Sequence, residues 1–431
     1  MEVKVIDAMM GSGKTTAMLN FINASPPEKK FIFVTPFLDE GNRIKAYCHE
    51  KDFRSPEAFD EEGGSLVSKP RSKLIDFKQF LRERRNIVTT HALFERFDDE
   101  ALSLISDTGY TLIMDEVADV ISLFDISLHD TRILLRNCMD QQEDGRLIWN
   151  REDQHYYGRY LDYKELCEKG WLWYYNDQTI IKMMPPSLFS AFSDVYLMTY
   201  LFEAQFQRAY FDMFNIPYRR IYVAGNSPDT YHITQDVIYS PPLYLKDKIH
   251  ICYENRLNQP YDGFHALSSS WFQRYSGKEE IDQLKNNIYN FFRHYCRAKS
   301  KDALWTVYRE KDIQKSPEVN SKNPPYMIPR GYGSCFLACN SRATNAYRDR
   351  TVCAYPLNRF PCPQVLGFLA RYGITLDRDQ WALSEMIQWI WRTAIRDGKE
   401  IDIYVPSRRM RELLEQWIEE VSNPSTPAGV A

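Results

Sequence analysis

Short apolar runs rich in β-branched residues recur along the first half of the chain, and most give way to a segment with apolar positions at helical spacing. Val3–Ile6, Phe31–Val34, Asn86–Thr90, Tyr110–Met114, Ser193–Thr199 and Arg219–Val223 read as strands. Helices are expected after Lys14, over Lys73–Arg85, Asp98–Ser106 and Leu201–Phe214, with Arg43–Phe59 part helix and part loop. Strand–helix alternation of this kind predicts a parallel sheet covered on both faces. Cys138–Pro186 breaks the rhythm with polar and aromatic residues, among them Trp149, Tyr156, Tyr157, Tyr160, Trp171 and Trp173. Within it, Leu172–Tyr175 and Thr179–Lys182 flank Asn176-Asp177 and read as a β-hairpin. This stretch is an insertion in the first domain: either a small satellite subdomain or an element that separates or contacts nucleic-acid strands.

The rhythm resumes in the second half. Ile249–Tyr253, Leu304–Tyr308, Cys335–Cys339, Val352–Tyr355 and Ile401–Val405 read as strands, and Glu279–Cys296, Gln380–Arg396 and Arg408–Val421 as helices. Glu61–Ser72 and Pro317–Pro329 read as loops. The expected organisation is a first α/β domain over 1–224 with its insertion at about 138–186, a connection over 225–275, a second α/β domain over 276–422 and a disordered tail over 423–431.

Composition adds limits. A chain of 431 residues exceeds one ordinary core. Its net charge of −4 gives no overall basic field, so a nucleic-acid partner has to be held by a local groove. The nine Cys form no C-x-x-C pair and no zinc-spaced cluster, which reads as reduced thiols in a cytoplasmic protein. No apolar run approaches the ~20 residues of a membrane span, and no N-terminal leader is evident.

The chemistry starts at VKVIDAMMGSGKTTAML, Val3–Leu19. A strand, a Gly-rich turn ending in Gly13-Lys14-Thr15 and a helix are the context in which a phosphate loop works. Backbone N–H groups from Met10 through Gly11, Ser12, Gly13 and Lys14 to Thr15 and Thr16 would cup phosphate oxygens at a helix N-terminus. Lys14 would reach the β- and γ-phosphates and Thr15 would hold Mg²⁺. Ala8 stands where the motif's first Gly is usual. The run Tyr110–Met114 ends in Asp115-Glu116, the second nucleotide motif. Asp115 would hold Mg²⁺, and Glu116 would orient and deprotonate the attacking water.

The second domain has no phosphate loop and is expected to complete the site of the first. Phosphoryl transfer needs positive charge on the γ-phosphate, commonly from an arginine. Gln388, Arg392 and Arg396 are spaced i, i+4 and would share one helix face. The alternative is a solvated basic stripe.

At this point the chain resembles the superfamily 2 helicases, particularly the DEAD/DEAH-box-like helicases of bacteriophages and prophages. AMMGSGKT is similar to motif I, FVTP to Ia, IVTTHALF to Ic, LIMDE to II, YLMTYLFEA to III, LWTVY to IV, ACNSRATNAYRDR to V and QWIWRTAIR to VI. Val117-Ala118 follow Asp115-Glu116, Trp391 replaces the usual Gly of motif VI, and the Ser-Ala-Thr triplet of motif III is absent. The resemblance implies two tandem RecA-like domains, ATP and Mg²⁺ as cofactors, Arg392 as finger and Arg396 on nucleotide or Glu116. It also implies a nucleic-acid track on which Thr35, Thr89, Thr90 and Thr344 donate hydroxyls to phosphates. Each Thr also fits a strand end that caps the following turn.

The expected function is therefore an ATP-dependent nucleic-acid helicase or translocase. It would be a monomer acting on single-stranded or duplex nucleic acid, with DNA favoured, in the setting of replication or recombination proteins. Two rivals remain: a packaging-type motor, which would bring a nuclease with clustered carboxylates, and a nucleotide-switched remodelling ATPase that does not unwind.

Overall fold

The computed structural model describes residues 1–36, 38–57, 73–150, 158–238, 245–275, 278–308, 327–340 and 346–422. It divides into two compact units. Unit 1 is Met1–Ala8, Ser12–Val237 and Cys362–Leu376, and unit 2 is Met9–Gly11, Ile238–Pro361 and Asp377–Ala431.

Unit 1 is built on strands β1 (Val3–Asp7), β2 (Phe31–Thr35), β3 (Phe53–Arg54), β4 (Asn86–Thr90) and β5 (Thr111–Asp115). Strands β6 (Ile121–Leu123), β7 (Met139–Gln141), β8 (Leu147–Trp149), β9 (Leu172–Asn176) and β10 (Thr179–Met183) follow. The last three are β11 (Asp194–Thr199), β12 (Tyr218–Ala224) and β13 (His232–Thr234). The main sheet runs β13-β12-β1-β11-β5-β2-β4-β3. Every neighbouring pair is parallel except the β12–β13 hairpin. A central parallel strand is buried on both sides, which is why β2 reads FIFVT with no exposed position. Ile6, Phe31, Phe33, Ile113 and Met198 pack with Met18, Leu19 and Ile22 of the helix Lys14–Ala24 to form the core under the phosphate loop.

The insertion has a core of its own, with Leu134, Leu147, Trp149, Tyr160, Leu172 and Ile180 buried together. The β9–β10 hairpin pairs β10 with β6, so this subdomain begins at Ile121, ahead of the Cys138 start drawn from the sequence. Trp149, Trp171 and Trp173 are buried, so these rings pack the interior instead of forming a surface platform. A segment from far along the chain completes the unit. The helix Pro363–Arg371 sets Phe368 and Tyr372 edge-on against Trp173, and Arg208 donates to the Thr375 carbonyl at 2.7 Å.

Unit 2 holds a parallel sheet of β14 (Ile249–Ile251), β15 (Ala303–Trp305), β16 (Val352–Ala354) and β17 (Ile401–Tyr404), in the order β14-β17-β16-β15. Helix Arg408–Val421 starts where the Ser407 hydroxyl caps the Met410 N–H. It buries Met410, Leu414, Trp417, Ile418 and Val421, one stripe at helical spacing. The mixed α/β class with parallel sheets in both halves is the one expected from the pattern.

Several elements differ from expectation. Cys335–Cys339 is not a strand: a 3₁₀ turn covers Gly333–Cys335, and a single bridge joins Phe336 to Trp305. The segment after β11 begins as a 3₁₀ turn, Phe202–Ala204, and becomes α-helical only over Phe206–Met213. The helix Glu279–Asn290 widens into a π-turn, Phe291–Tyr295.

The helix expected over Gln380–Arg396 runs over Arg378–Ile390 and stops. The Thr393 hydroxyl donates to the Ile390 carbonyl at 2.7 Å, and Thr393 is extended (φ −87°, ψ −172°). The Ala394 N–H is taken by the Arg350 carbonyl at 2.9 Å. Arg396 therefore lies on a separate 3₁₀ turn, Ala394–Asp397, and Gln388, Arg392 and Arg396 do not share a helix face.

Candidate functional site

Strand register gathers the predicted residues of unit 1 along one edge. Asp7 lies beside Thr199, Met198 beside Asp115, and Val34 beside Met114. Thr35 in turn lies beside Thr90. The C-terminal ends of β1, β11, β5, β2 and β4 thus come out level, and the phosphate loop leaves this edge directly after Asp7. Open parallel sheets bind ligands at such an edge. β11 stands between β1 and β5, which separates the loop from Asp115 by one strand.

The loop has the backbone a phosphate cradle needs. Gly11 and Gly13 both have positive φ, at 86° and 84°, and Gly13 caps the helix that starts at Lys14. A Cβ on Gly13 would fall 2.8 Å from the Tyr231 ring, so a side chain is excluded here by conformation and by space. Asn20 donates to the Tyr231 and Pro228 carbonyls at 2.8 and 2.9 Å and holds that ring's loop against the helix. The Lys14 ammonium donates to the Ala8 carbonyl across the loop. The Ser12 hydroxyl is buried without a hydrogen-bond partner among the described residues. An orphaned buried hydroxyl, N–H groups at a helix N-terminus and a lysine folded over the loop fit a triphosphate group.

At the end of β5 the Asp115 carboxyl is pushed up to about 7, chiefly by its enclosure, although the residue keeps some surface, with Glu116 and Glu40 adding. The Lys14 charge opposes the shift, which puts the two motifs within electrostatic reach of each other. A carboxyl whose ionisation is opposed by enclosure and two neighbouring carboxylates is one that a nearby divalent cation would relieve. Thr15 and Asp115 would hold that Mg²⁺.

Glu116 has φ 67°, an uncommon conformation for a residue with a side chain, costing about 1–3 kcal/mol. Its N–H still bonds the Met198 carbonyl at 2.9 Å. The chain therefore turns at Glu116 while remaining anchored to β11. Two residues that the sequence reading did not single out hold this corner. His91 Nε2 lies 2.9 Å from the Asp115 carbonyl, and the buried Gln207 side chain accepts from the Ala118 N–H at 2.8 Å. A buried Gln on an otherwise apolar helix face is the signal that could have revealed the second.

Asp7 was also missed. It is 4% exposed, accepts from the Phe202 N–H at 3.0 Å and lies 3.7 Å from Arg220. Burial pushes its carboxyl up to about 6, while Arg220 opposes the shift. The folded chain then holds this proton more tightly than the unfolded one, whose ordinary value is 3.8. The stability linked to that proton is complete below pH 3.8 and is lost as pH rises through 6, by at most about 3 kcal/mol. Asp7→Asn keeps the acceptor for Phe202. It is expected to raise the thermal midpoint at pH 8 and to match the wild type near pH 4, as read by thermal denaturation at both values.

Thr35 and Thr89 are buried, at 1% and 3% exposed, while Thr90 keeps surface at the start of the short helix His91–Phe94. Thr344 lies outside the described residues. In unit 2, Arg392 is 6% exposed just past the helix end, and Gln388 and Arg396 are half-buried. Among the described residues no group of three or more His, Cys, Asp or Glu forms a metal cluster, and no helix is long and apolar enough to cross a membrane.

Two family descriptions match the sequence. The YonV C-terminal Rossmann-like domain matches residues 244–418, and the YonV middle domain matches residues 121–182. The SPbeta prophage-derived uncharacterized protein YonV of Bacillus subtilis (strain 168) is 38% identical over 425 residues, covering 97% of this chain and 98% of that one. Among solved structures the fold is similar to S. tokodaii Xpd4, at 13% identity and TM-score 0.48, covering 96% of this chain and 94% of that one. It is also similar to S. cerevisiae Dbp5 bound to RNA and ADP BeF3, at 10% identity and TM-score 0.37, covering 99% and 84%. A third is the helicase MrfA bound to DNA and AMPPNP, at 13% identity and TM-score 0.33, covering 99% and 49%. At these scores the likenesses carry no argument about activity.

Proposed function

The chain belongs to the YonV family, and we propose that it is an ATP-dependent nucleic-acid helicase or translocase. The observation that carries the reading is the convergence of the Gly11–Thr15 loop, Asp115 and Glu116 on one edge of a parallel sheet. Bound ATP with Mg²⁺ supplies the phosphoryl centre. The loop N–H groups from Met10 to Thr16 and the Lys14 ammonium would hold its phosphates, Thr15 and Asp115 would hold the cation, and Glu116 would take the proton of an attacking water. In the second unit Arg392 would be the candidate to neutralise charge on the transferring group, with Arg396 and Gln388 as candidate nucleotide contacts, as the sequence order suggests. Thr90, which keeps surface, would contact a strand phosphate, and Thr344 is a further proposed contact; Thr35 and Thr89 are buried and fit the strand-end reading instead.

A duplex-unwinding assay separates this reading from a remodelling ATPase. A fluorescently labelled duplex with a single-stranded overhang, DNA or RNA, is expected to separate in an ATP-dependent way with the wild type and to stay paired with Lys14→Ala. ATP turnover without strand separation or translocation would favour the remodelling ATPase, which the missing Ser-Ala-Thr triplet after β11 keeps in view.

A further inference from the structure

The helix Leu128–Ile133 starts where the Ser127 hydroxyl accepts the Asp130 N–H, and it runs on into a π-turn, Leu134–Cys138. π-turns are rare and frequently mark functional positions. Here the wider turn begins two residues after Arg132 and contains Arg136, and the two side chains, four residues apart, line the same cavity of ≈ 480 Å³. Gln141, Tyr174, Asp177 and Gln178 also line it, from β7 and the β9–β10 hairpin.

Several other surface arginines of unit 1 are paired, Arg82 with Glu100, Arg85 with Asp52, Arg146 with Asp144 and Arg219 with Glu2, while Arg84 and Arg96 stand singly among the described residues. Arg132 and Arg136 are exposed and have no ion pair or hydrogen bond among the described residues, although Asp177 lines the same cavity. The Asp177 carboxylate instead accepts the Tyr174 hydroxyl at 2.9 Å. Two unpaired guanidinium groups on a polar concavity attract an anion, and their planar forks match phosphate oxygens.

Building on the helicase reading, we propose that this cavity of the middle domain holds the phosphate backbone of a nucleic-acid strand. Arg132 and Arg136 sit on successive phosphate oxygens, and the half-buried Tyr174 ring offers a face to a neighbouring base. A polymer fits better than a small enclosed nucleotide because both arginines are exposed. The main phosphate cradle, by contrast, is built from Gly11, Gly13 and a buried hydroxyl. Net charge is −4, so a local basic concavity is the kind of feature that would hold a strand on this chain.

The test is fluorescence anisotropy of fluorescein-labelled single-stranded oligo(dT) and oligo(U) with the full chain, across a salt series. Wild type is compared with Arg132→Ala/Arg136→Ala and with Arg132→Lys/Arg136→Lys, each checked for an unchanged thermal midpoint. The double Ala variant is expected to bind about 10–100-fold more weakly, and its log–log salt slope to be shallower by about 1.4. The double Lys variant should recover part of the affinity, because charge is kept and the fork is lost. Equal affinity and slope for wild type and the double Ala variant would overturn the proposal and leave the helicase reading standing. Calorimetric binding of inorganic phosphate that disappears in the double Ala variant, with strand affinity unchanged, would also overturn it and make the cavity a free-phosphate site. A wild type that binds neither strand would overturn the helicase reading and this inference together.

Discussion

Lys14→Ala is expected to remove nucleotide binding and hydrolysis together. Lys14 opens the helix behind the loop, and its ammonium bridges to the Ala8 carbonyl across it, at the spot where phosphate oxygens would converge. It also acts on two carboxylates of the edge, pulling down the Asp7 and Asp115 carboxyls that their enclosure pushes up. Removing it takes away a charge-assisted hydrogen bond to phosphate and leaves those carboxylates facing the triphosphate with less compensation. The expected loss is about 100-fold or more in affinity for a fluorescent ATP analogue. The fold should survive, because Ala is the better helix former at that position. A dissociation constant within a few-fold of the wild type would remove Lys14 from the phosphate site.

Glu116→Gln separates chemistry from binding. The carboxylate stands one residue beyond Asp115, the proposed cation ligand, on a backbone at φ 67° anchored to the Met198 carbonyl and followed by the Gln207-bound Ala118 N–H. That arrangement spends about 1–3 kcal/mol of backbone strain to aim one side chain. Gln keeps size and hydrogen bonding but cannot take a proton, so turnover is expected to fall about 10²–10⁴-fold while affinity for ATP with Mg²⁺ is retained. Single-turnover hydrolysis beside equilibrium binding reads the two effects apart. Equal losses in both would make Glu116 a binding residue and reassign the base.

Much of the first unit was legible because local pattern and global fold agree there. β4, the β9–β10 hairpin and the strands around the phosphate loop follow from β-branched runs bounded by turn residues, and helix Arg408–Val421 follows from an unbroken apolar stripe. The stop at Ile390 was not legible. Trp391, Arg392 and Thr393 continue a helical pattern, and the helix ends because the Thr393 hydroxyl and the Arg350 carbonyl take over the backbone partners. That is a tertiary choice that periodicity cannot carry. The helix Pro363–Arg371 was missed because it follows Pro361 and carries a Gly, and its place on the Trp173 face of unit 1 depends on a contact nearly two hundred residues away in sequence.

At the site, the loop, Asp115 and Glu116 were readable from motif and order. Asp7, His91, Gln207 and Tyr231 were not, because each acts by packing on or hydrogen-bonding to a motif residue from a separate element. The aromatic richness of the insertion, which invited a stacking platform, is mostly interior: Trp149, Trp171 and Trp173 fill cores, and Tyr156 and Tyr157 lie outside the described residues.

The central claim is that ATP turnover at the Gly11–Thr15 loop depends on a nucleic-acid strand. The direct measurement is the steady-state rate of ATP hydrolysis by the full chain with and without saturating single-stranded DNA or RNA. The account predicts a rate that rises several-fold with at least one of the two polymers and falls to background in Lys14→Ala. A wild-type rate that is the same with and without either strand would contradict it.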